Sequence, residues 1–293
     1  MTPQERQDLQ RISRVMRAAR KISGKNQVEI AKDLGISQSA LSKFESAILI
    51  PSTSQWYKFC KTLNVDSLES FTLGTIDNRI AATPSGSYPE TTFKIPKKYA
   101  HHQGSKVRAI RPFLDFFSSQ IGEEKLERYL KESKVDSDFF VVQDNQLNIG
   151  FTIDIATHMI NAGNLAKKDV SALTRPISQP RIHGALHNIY DSVSTEMALL
   201  QNLFENSKKY EINFDYKIEN VTRKDLEVSI TPAEHLEQFD YKSAVLGDFL
   251  CRYKKSYFQQ FSTYKGAKRV EIEEEHCHYK GADRCVYHFK AAS

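Results

Sequence analysis

Apolar side chains at Leu9, Ile12, Val15, Met16, Ala19 and Ile22 recur at spacings of three and four, which predicts an amphipathic helix over residues 8–23. Asn26 suits the cap of a second, shorter helix over 27–34, with Val28, Ile30, Ala31 and Leu34 as its apolar positions. Gly35 follows where a left-handed residue would end that helix, and Ile36 packs the turn. Ser37 then caps a third helix over 38–45, facing inward through Leu41 and Phe44. Pro51 and Ser52 open a fourth segment, with Trp56, Phe59, Cys60 and Leu63 at helical spacing. Residues 74–106 lose this periodicity and are rich in Gly, Pro, Ser and Thr, the pattern of a linker, with a docked strand near 92–95. From Ile110 the helical pattern returns in IRPFLDFFSSQI, EEKLERYLKES, GFTIDIATHMINAG and TEMALLQNLFENSKKY. Strict alternation at 211–218 and 225–230 reads as a hairpin closed around 219–224. A helix over 243–261, a strand near 268–275, a turn at Gly281 and a last strand over 284–290 complete the chain. The predicted architecture is multidomain. An all-α domain spans 1–70, a linker 71–106, and an α+β domain with an antiparallel sheet and helices on one side spans 107–293.

Composition agrees with two soluble domains: of 293 residues, 40% are apolar and 26% charged. No apolar run approaches the roughly 18–20 residues that span a bilayer, so no membrane association is expected. The first residues, MTPQERQDLQRISR, lack the apolar core of a signal peptide. A cytoplasmic location with reduced thiols is the expectation. Charge changes the picture more. Residues 1–65 carry 11 Lys plus Arg against 5 Asp plus Glu, whereas the rest of the chain is nearly neutral. A basic module on a neutral body is the electrostatic footprint of a reader of double-stranded DNA.

The stretch NQVEIAKDLGISQSALSKFE resembles the helix-turn-helix of phage-repressor regulators, the Cro/CI or XRE type, with the small Ala31, the turn Gly35 and aliphatic Ile36 and Leu41 at matching offsets. The resemblance covers about residues 8–65. It implies that the third helix enters the major groove, with Ser37, Gln38 and Ser39 near base edges and Ser42 and Lys43 a turn further along. Gln38 has the amide to pair bidentately with an adenine edge, while Lys43 suits either a guanine or a phosphate. Asn26 and Gln27, opening the second helix, suit phosphate oxygens. For each of these residues the alternative is a polar side chain that simply faces solvent. The resemblance also pairs Arg20 with Glu45 as an internal ion pair. Where the family carries glycine and basic residues after the third helix, this chain reads Ser46-Ala47-Ile48-Leu49-Ile50-Pro51, which makes poor phosphate ligands. Those aliphatics suit packing on the body or on a second subunit. Reading a two-fold operator takes two modules, so a homodimer is expected.

Three of the four cysteines, Cys251, Cys277 and Cys285, fall in the last fifth of the chain. Cys277 and Cys285 flank a turn containing Gly281, and Cys251 lies on the preceding helix. Three thiolates and a harder fourth ligand suit tetrahedral zinc, the fourth coming from Glu273, Glu274, Glu275, His276 or His278. A core role for Cys251, or a Cys277 thiol activated by His276 or His278, are the alternatives. Cys60 reads as a core residue, and the adjacent His101 and His102 as a solvated loop. The C-x7-C pattern followed by Val286-Tyr287-His288-Phe289 resembles the end of the 4-vinyl reductase-like sensory domain, found in activators that detect phenols and other aromatic effectors. That resemblance, over about residues 180–290, implies a structural zinc on Cys251, Glu274, Cys277 and Cys285, and a small-molecule effector. Its pocket is expected between sheet and helices, among aromatics such as Phe214, Tyr216, Phe249 and Tyr253, which also suit plain core. The chain shows no P-loop, GxSxG, HExxH or GxGxxG pattern and reads as a regulator without enzymatic activity. An enzyme with a DNA-targeting module, or a DNA-bound scaffold, are the competing readings.

Overall fold

A computed structural model describes the chain apart from residues 1, 67–69, 73, 77–91, 184–186, 240–243 and 292–293. Two compact units emerge, residues 1–96 with 127–145, and residues 97–126 with 146–293. Much of the expected linker therefore lies outside the described residues.

In the first unit, α1 spans Pro3–Ser23 and begins five residues before the apolar periodicity, because Thr2 and Glu5 form a capping box at its start. Helices α2 (Gln27–Leu34), α3 (Gln38–Glu45) and α4 (Thr53–Leu63) follow, capped by Asn26, Ser37 and Ser52. Gly35 sits at φ +68°, and the Ile36 N–H returns to the Ala31 carbonyl at 3.0 Å, so α2 ends in a tight left-handed cap. The α1 stripe is buried throughout, as are Ile30, Leu41, Phe44 and Phe59, and α1 packs on α3 and α4. Val28, counted with the apolar face by periodicity, is instead 63% exposed. Cys60 is buried, and desolvation pushes its thiol up to about 12, as suits an inert core residue.

Residues 127–145 contribute a second layer to this unit. A 3-10 turn over Ser137–Val141 packs on α1 and brings the buried Asp138 to Arg17 (2.9 Å) and Lys21 (2.8 Å). Burial alone would lower the Lys21 ammonium, but Asp136 and Asp138 reverse this and raise it. Ile76 bridges Val142, and Phe93 packs edge-on to Phe139 at 6.0 Å. The strand expected near 92–95 is absent there; the backbone bends to bury Phe93.

The second unit is α+β. Helices α5 (Val107–Ile121), α6 (Ile149–Asn161), α7 (Glu196–Glu205) and α8 (Ala244–Ser262) accompany a four-stranded sheet. Its strands are β1 (Phe214–Val221), β2 (Asp225–Pro232), β3 (Glu271–His276) and β4 (Cys285–Lys290), antiparallel in the order β1-β2-β4-β3. Leu226, Val228, Ile230, Ile272, Tyr287 and Phe289 are buried, and Phe258 of α8 meets Tyr287 and Phe289 edge-on at 5.7 and 5.8 Å. Glu271, Glu273 and Glu275 alternate onto the exposed face of β3. The multidomain architecture read from the sequence is the one observed. Among the described residues no helix is long and apolar enough to cross a membrane.

One buried histidine gives this unit a pH dependence. His183 shares hydrogen bonding with the Ile177 carbonyl at 2.7 Å, among Tyr190, Phe261 and Tyr264, and burial pushes its pKa down to about 4. The ring is neutral when folded but protonates below its ordinary 6.5 when unfolded. Its contribution is therefore complete above pH 6.5 and is lost as pH falls from 6.5 to 4, about 3 kcal/mol in all. Urea unfolding of wild type and His183→Gln at pH 7 and pH 4.5 should show the wild type losing more stability on acidification. Parallel losses would refute it.

Candidate functional site

Helix α3 presents Ser37, Gln38, Ser39 and Lys43 to solvent, with Ser42 half-buried. Behind them runs a chain of hydrogen bonds. Gln38 donates to Gln27 Oε1 at 2.6 Å, and Gln27 donates to Glu45 Oε2 at 2.8 Å. Arg20 closes the chain with two bonds to Glu45, at 2.6 and 2.9 Å. The side chain of Glu45 is only 3% exposed, so the pair named from the sequence is an internal one. One amide N–H of Gln38 is used to orient it, and its carbonyl and second N–H remain for a base edge. Asn26 and Ser37 spend their side-chain oxygens capping α2 and α3, through the N–H groups of Glu29 and Ala40. Beyond α3, Ile48, Leu49 and Ile50 remain exposed.

In the second unit, Cys251, Glu274, Cys277 and Cys285 converge, with one donor atom from each lying within 4.8 Å of the others. Four donors around a zinc ion at about 2.3 Å would stand about 3.8 Å apart, so this donor set fits a tetrahedral metal. Cys251 Sγ and Cys277 Sγ approach to 3.0 Å, longer than the bond of about 2.05 Å in a disulfide. The fold selects Glu274 from the candidates. Strand alternation turns Glu273 and Glu275 outward, and Glu275 bonds His288 at 2.7 Å. His276 is exposed beyond a bulge in the β3 ladder, and His278 Nδ1 engages the Ala282 carbonyl at 3.0 Å. Tyr287, directly opposite in the register, donates to Glu274 Oε1 at 2.9 Å and orients that carboxylate. Gly247 lets α8 approach the turn: a Cβ there would stand 2.8 Å from the Tyr279 ring. Donation from Cys251 and the nearby Lys254 charge hold the Cys285 thiol below its ordinary range, while Cys251 is raised.

One helical turn from Cys251, a neighbouring stripe of α8 lines a partly open cavity of about 100 Å³. Its walls include Ile110, Phe113, Phe214, Tyr253, Tyr257 and Phe258. Phe214, Tyr216 and Tyr253 line it as the sequence suggests, whereas Phe249 does not line it and packs against Phe113 and Tyr253. Two charged groups, Lys254 and Glu211, also line this cavity, and neither stood out in the sequence. Lys254 falls at i+4 from Leu250 in an apolar stripe, which is the one signal that could have marked it. Burial lowers the Lys254 ammonium and raises the Glu211 carboxyl, which accepts a hydrogen bond from Tyr216.

Residues 16–69 match the helix-turn-helix family model, and the N-terminal module is a helix-turn-helix of the XRE type. No curated protein matches the chain. Among solved structures, the chain is similar to an unliganded Fe(II) H-NOX protein from K. algicida, at 10% identity and TM-score 0.46, over 64% of this chain and 97% of that one. It is also similar to an H-NOX protein from S. oneidensis in the Fe(II)NO ligation state, at 12% identity and TM-score 0.47, over 64% and 99% of the two chains.

Proposed function

We propose that this chain is a sequence-specific transcription regulator whose second unit binds a small aromatic effector, and that it acts as a homodimer on double-stranded DNA. One observation carries the reading: the same chain holds a helix-turn-helix with an exposed, oriented α3 face and a unit with an aromatic-walled cavity. The residues read as contacting DNA are Asn26, Gln27, Ser37, Gln38, Ser39, Ser42 and Lys43. Zinc held by Cys251, Glu274, Cys277 and Cys285, in the manner of the 4-vinyl reductase-like domain, would clamp α8 to the β3–β4 turn. Four protein ligands leave no open position, so the ion would supply stability and no chemistry. An effector acts by binding one arrangement of the dimer more tightly than another.

The test begins by selecting the operator from random duplexes. Gln38→Ala should lower operator affinity by roughly 10- to 100-fold with the fold intact, and relax selection at one base position. Lys43→Ala separates two roles. A phosphate contact lowers affinity evenly and reduces the salt slope by about one, whereas a guanine contact relaxes one position. Operator affinity unchanged in both variants would remove the assignment of α3 as the reading helix.

A further inference from the structure

Lys254 is only 8% exposed, yet among the described residues it has neither a hydrogen-bond nor an ion-pair partner. Its Nζ rests over the face of Phe214, 3.1 Å from the ring centroid. A cation over a ring face gains some attraction, and Glu211 and the cysteine cluster attract this ammonium at longer range, but withdrawal from water with no acceptor within bonding distance is a costly arrangement. The hydroxyls of Tyr253 and Tyr257, which line the same cavity, also have no hydrogen-bond partner among the described residues. The carboxyl present, Glu211, already accepts the Tyr216 hydroxyl. The cavity thus holds an excess of unspent donors, one of them cationic, set in aromatic walls. Its volume of about 100 Å³ is of the order of an engineered apolar cavity of about 150 Å³ that admits benzene.

We infer that the cavity is a binding site for a single-ring aromatic carboxylate, its anionic head paired with Lys254 and its ring held among Phe113, Phe214 and Phe258. Anion and excess donors answer each other: a carboxylate offers about four acceptor sites to the Lys254 ammonium and the Tyr253 and Tyr257 hydroxyls, and brings a negative charge into bonding distance of Lys254. The ring then meets the edges and faces of the aromatic wall. The inference rests on the sensory reading of the second unit and adds the charge of its ligand. It also places the ligand's head one turn of α8 from Cys251, so that occupancy of the cavity bears on the helix that carries the cysteine cluster.

Calorimetric titration of the full-length protein with benzoate, benzamide and toluene tests this directly. Benzoate should bind at least tenfold more tightly than either uncharged analogue. Lys254→Met should cut benzoate affinity by about 10- to 100-fold while leaving toluene affinity unchanged or improved. If benzamide or toluene binds as tightly as benzoate to the wild type, or if Lys254→Met leaves benzoate affinity unmoved, the inference is wrong. The wild-type ligand series needs no variant, so it decides even if Lys254→Met folds poorly. Absence of binding by all three overturns it as well. Benzoate that binds through Lys254 but leaves operator affinity unchanged would uphold this inference and remove the sensory reading.

Discussion

Cys285→Ser is expected to purify without zinc and to lose the stability of the second unit, while the wild type carries about one zinc per chain. The cluster joins α8 to the turn between β3 and β4, linking Cys251 to Cys277, 26 positions later, through side chains that are all buried or half-buried. Zinc-finger peptides draw about 10–16 kcal/mol from a structural zinc, but this unit has its own aromatic core and should lose only part of that. A loss of about 4 kcal/mol would lower the melting temperature by roughly 8–16 °C in a unit of this size. A chelator should reproduce the effect in the wild type and add nothing to the variant. Metal analysis that finds no zinc, with the Cys251, Cys277 and Cys285 thiols titrating in the native protein, would remove the proposed site.

Arg20→Ala should be the most damaging single change in the helix-turn-helix. It leaves the Glu45 carboxylate buried at 3% exposure with only the Gln27 amide as a partner. Stranding a buried charge costs about 3–5 kcal/mol, enough to lower the melting temperature of this unit by roughly 10–20 °C. The double change Arg20→Met with Glu45→Met should recover much of that stability, since paired apolar replacements remove the charge as well as its partner. Stability recovered in the double variant would not restore operator binding in full. Gln27 loses the acceptor that orients it, and with it the hold on Gln38. A double variant no more stable than Arg20→Ala would refute the ion-pair account.

Some features were legible in the chain because they depend on neighbours in sequence. The caps Asn26, Ser37 and Ser52, the left-handed Gly35 and the α1 stripe each need only residues within a turn or two, and each stands where periodicity put it. The four members of the cysteine cluster also converge as named, although the choice among five candidates for the fourth came from resemblance rather than spacing. The tertiary structure supplies the physical reason: β-strand alternation leaves Glu274 inward, and the register places Tyr287 against it.

Local periodicity and capping, then, determined by themselves the two kinds of domain, the helices of the helix-turn-helix and the presence of the antiparallel strands, since these follow from contacts close along the chain. Only the tertiary structure decided where distant segments meet. Residues 127–145 carry ordinary helical and turn patterns, yet their Asp136 and Asp138 are committed to Arg17 and Lys21 more than a hundred positions earlier. Lys254 reads as one more lysine on an amphipathic helix. Its burial emerges once α5, α6, β1 and α8 pack around it. Burial is a property of the assembled layers, and no sequence window contains the residues that produce it.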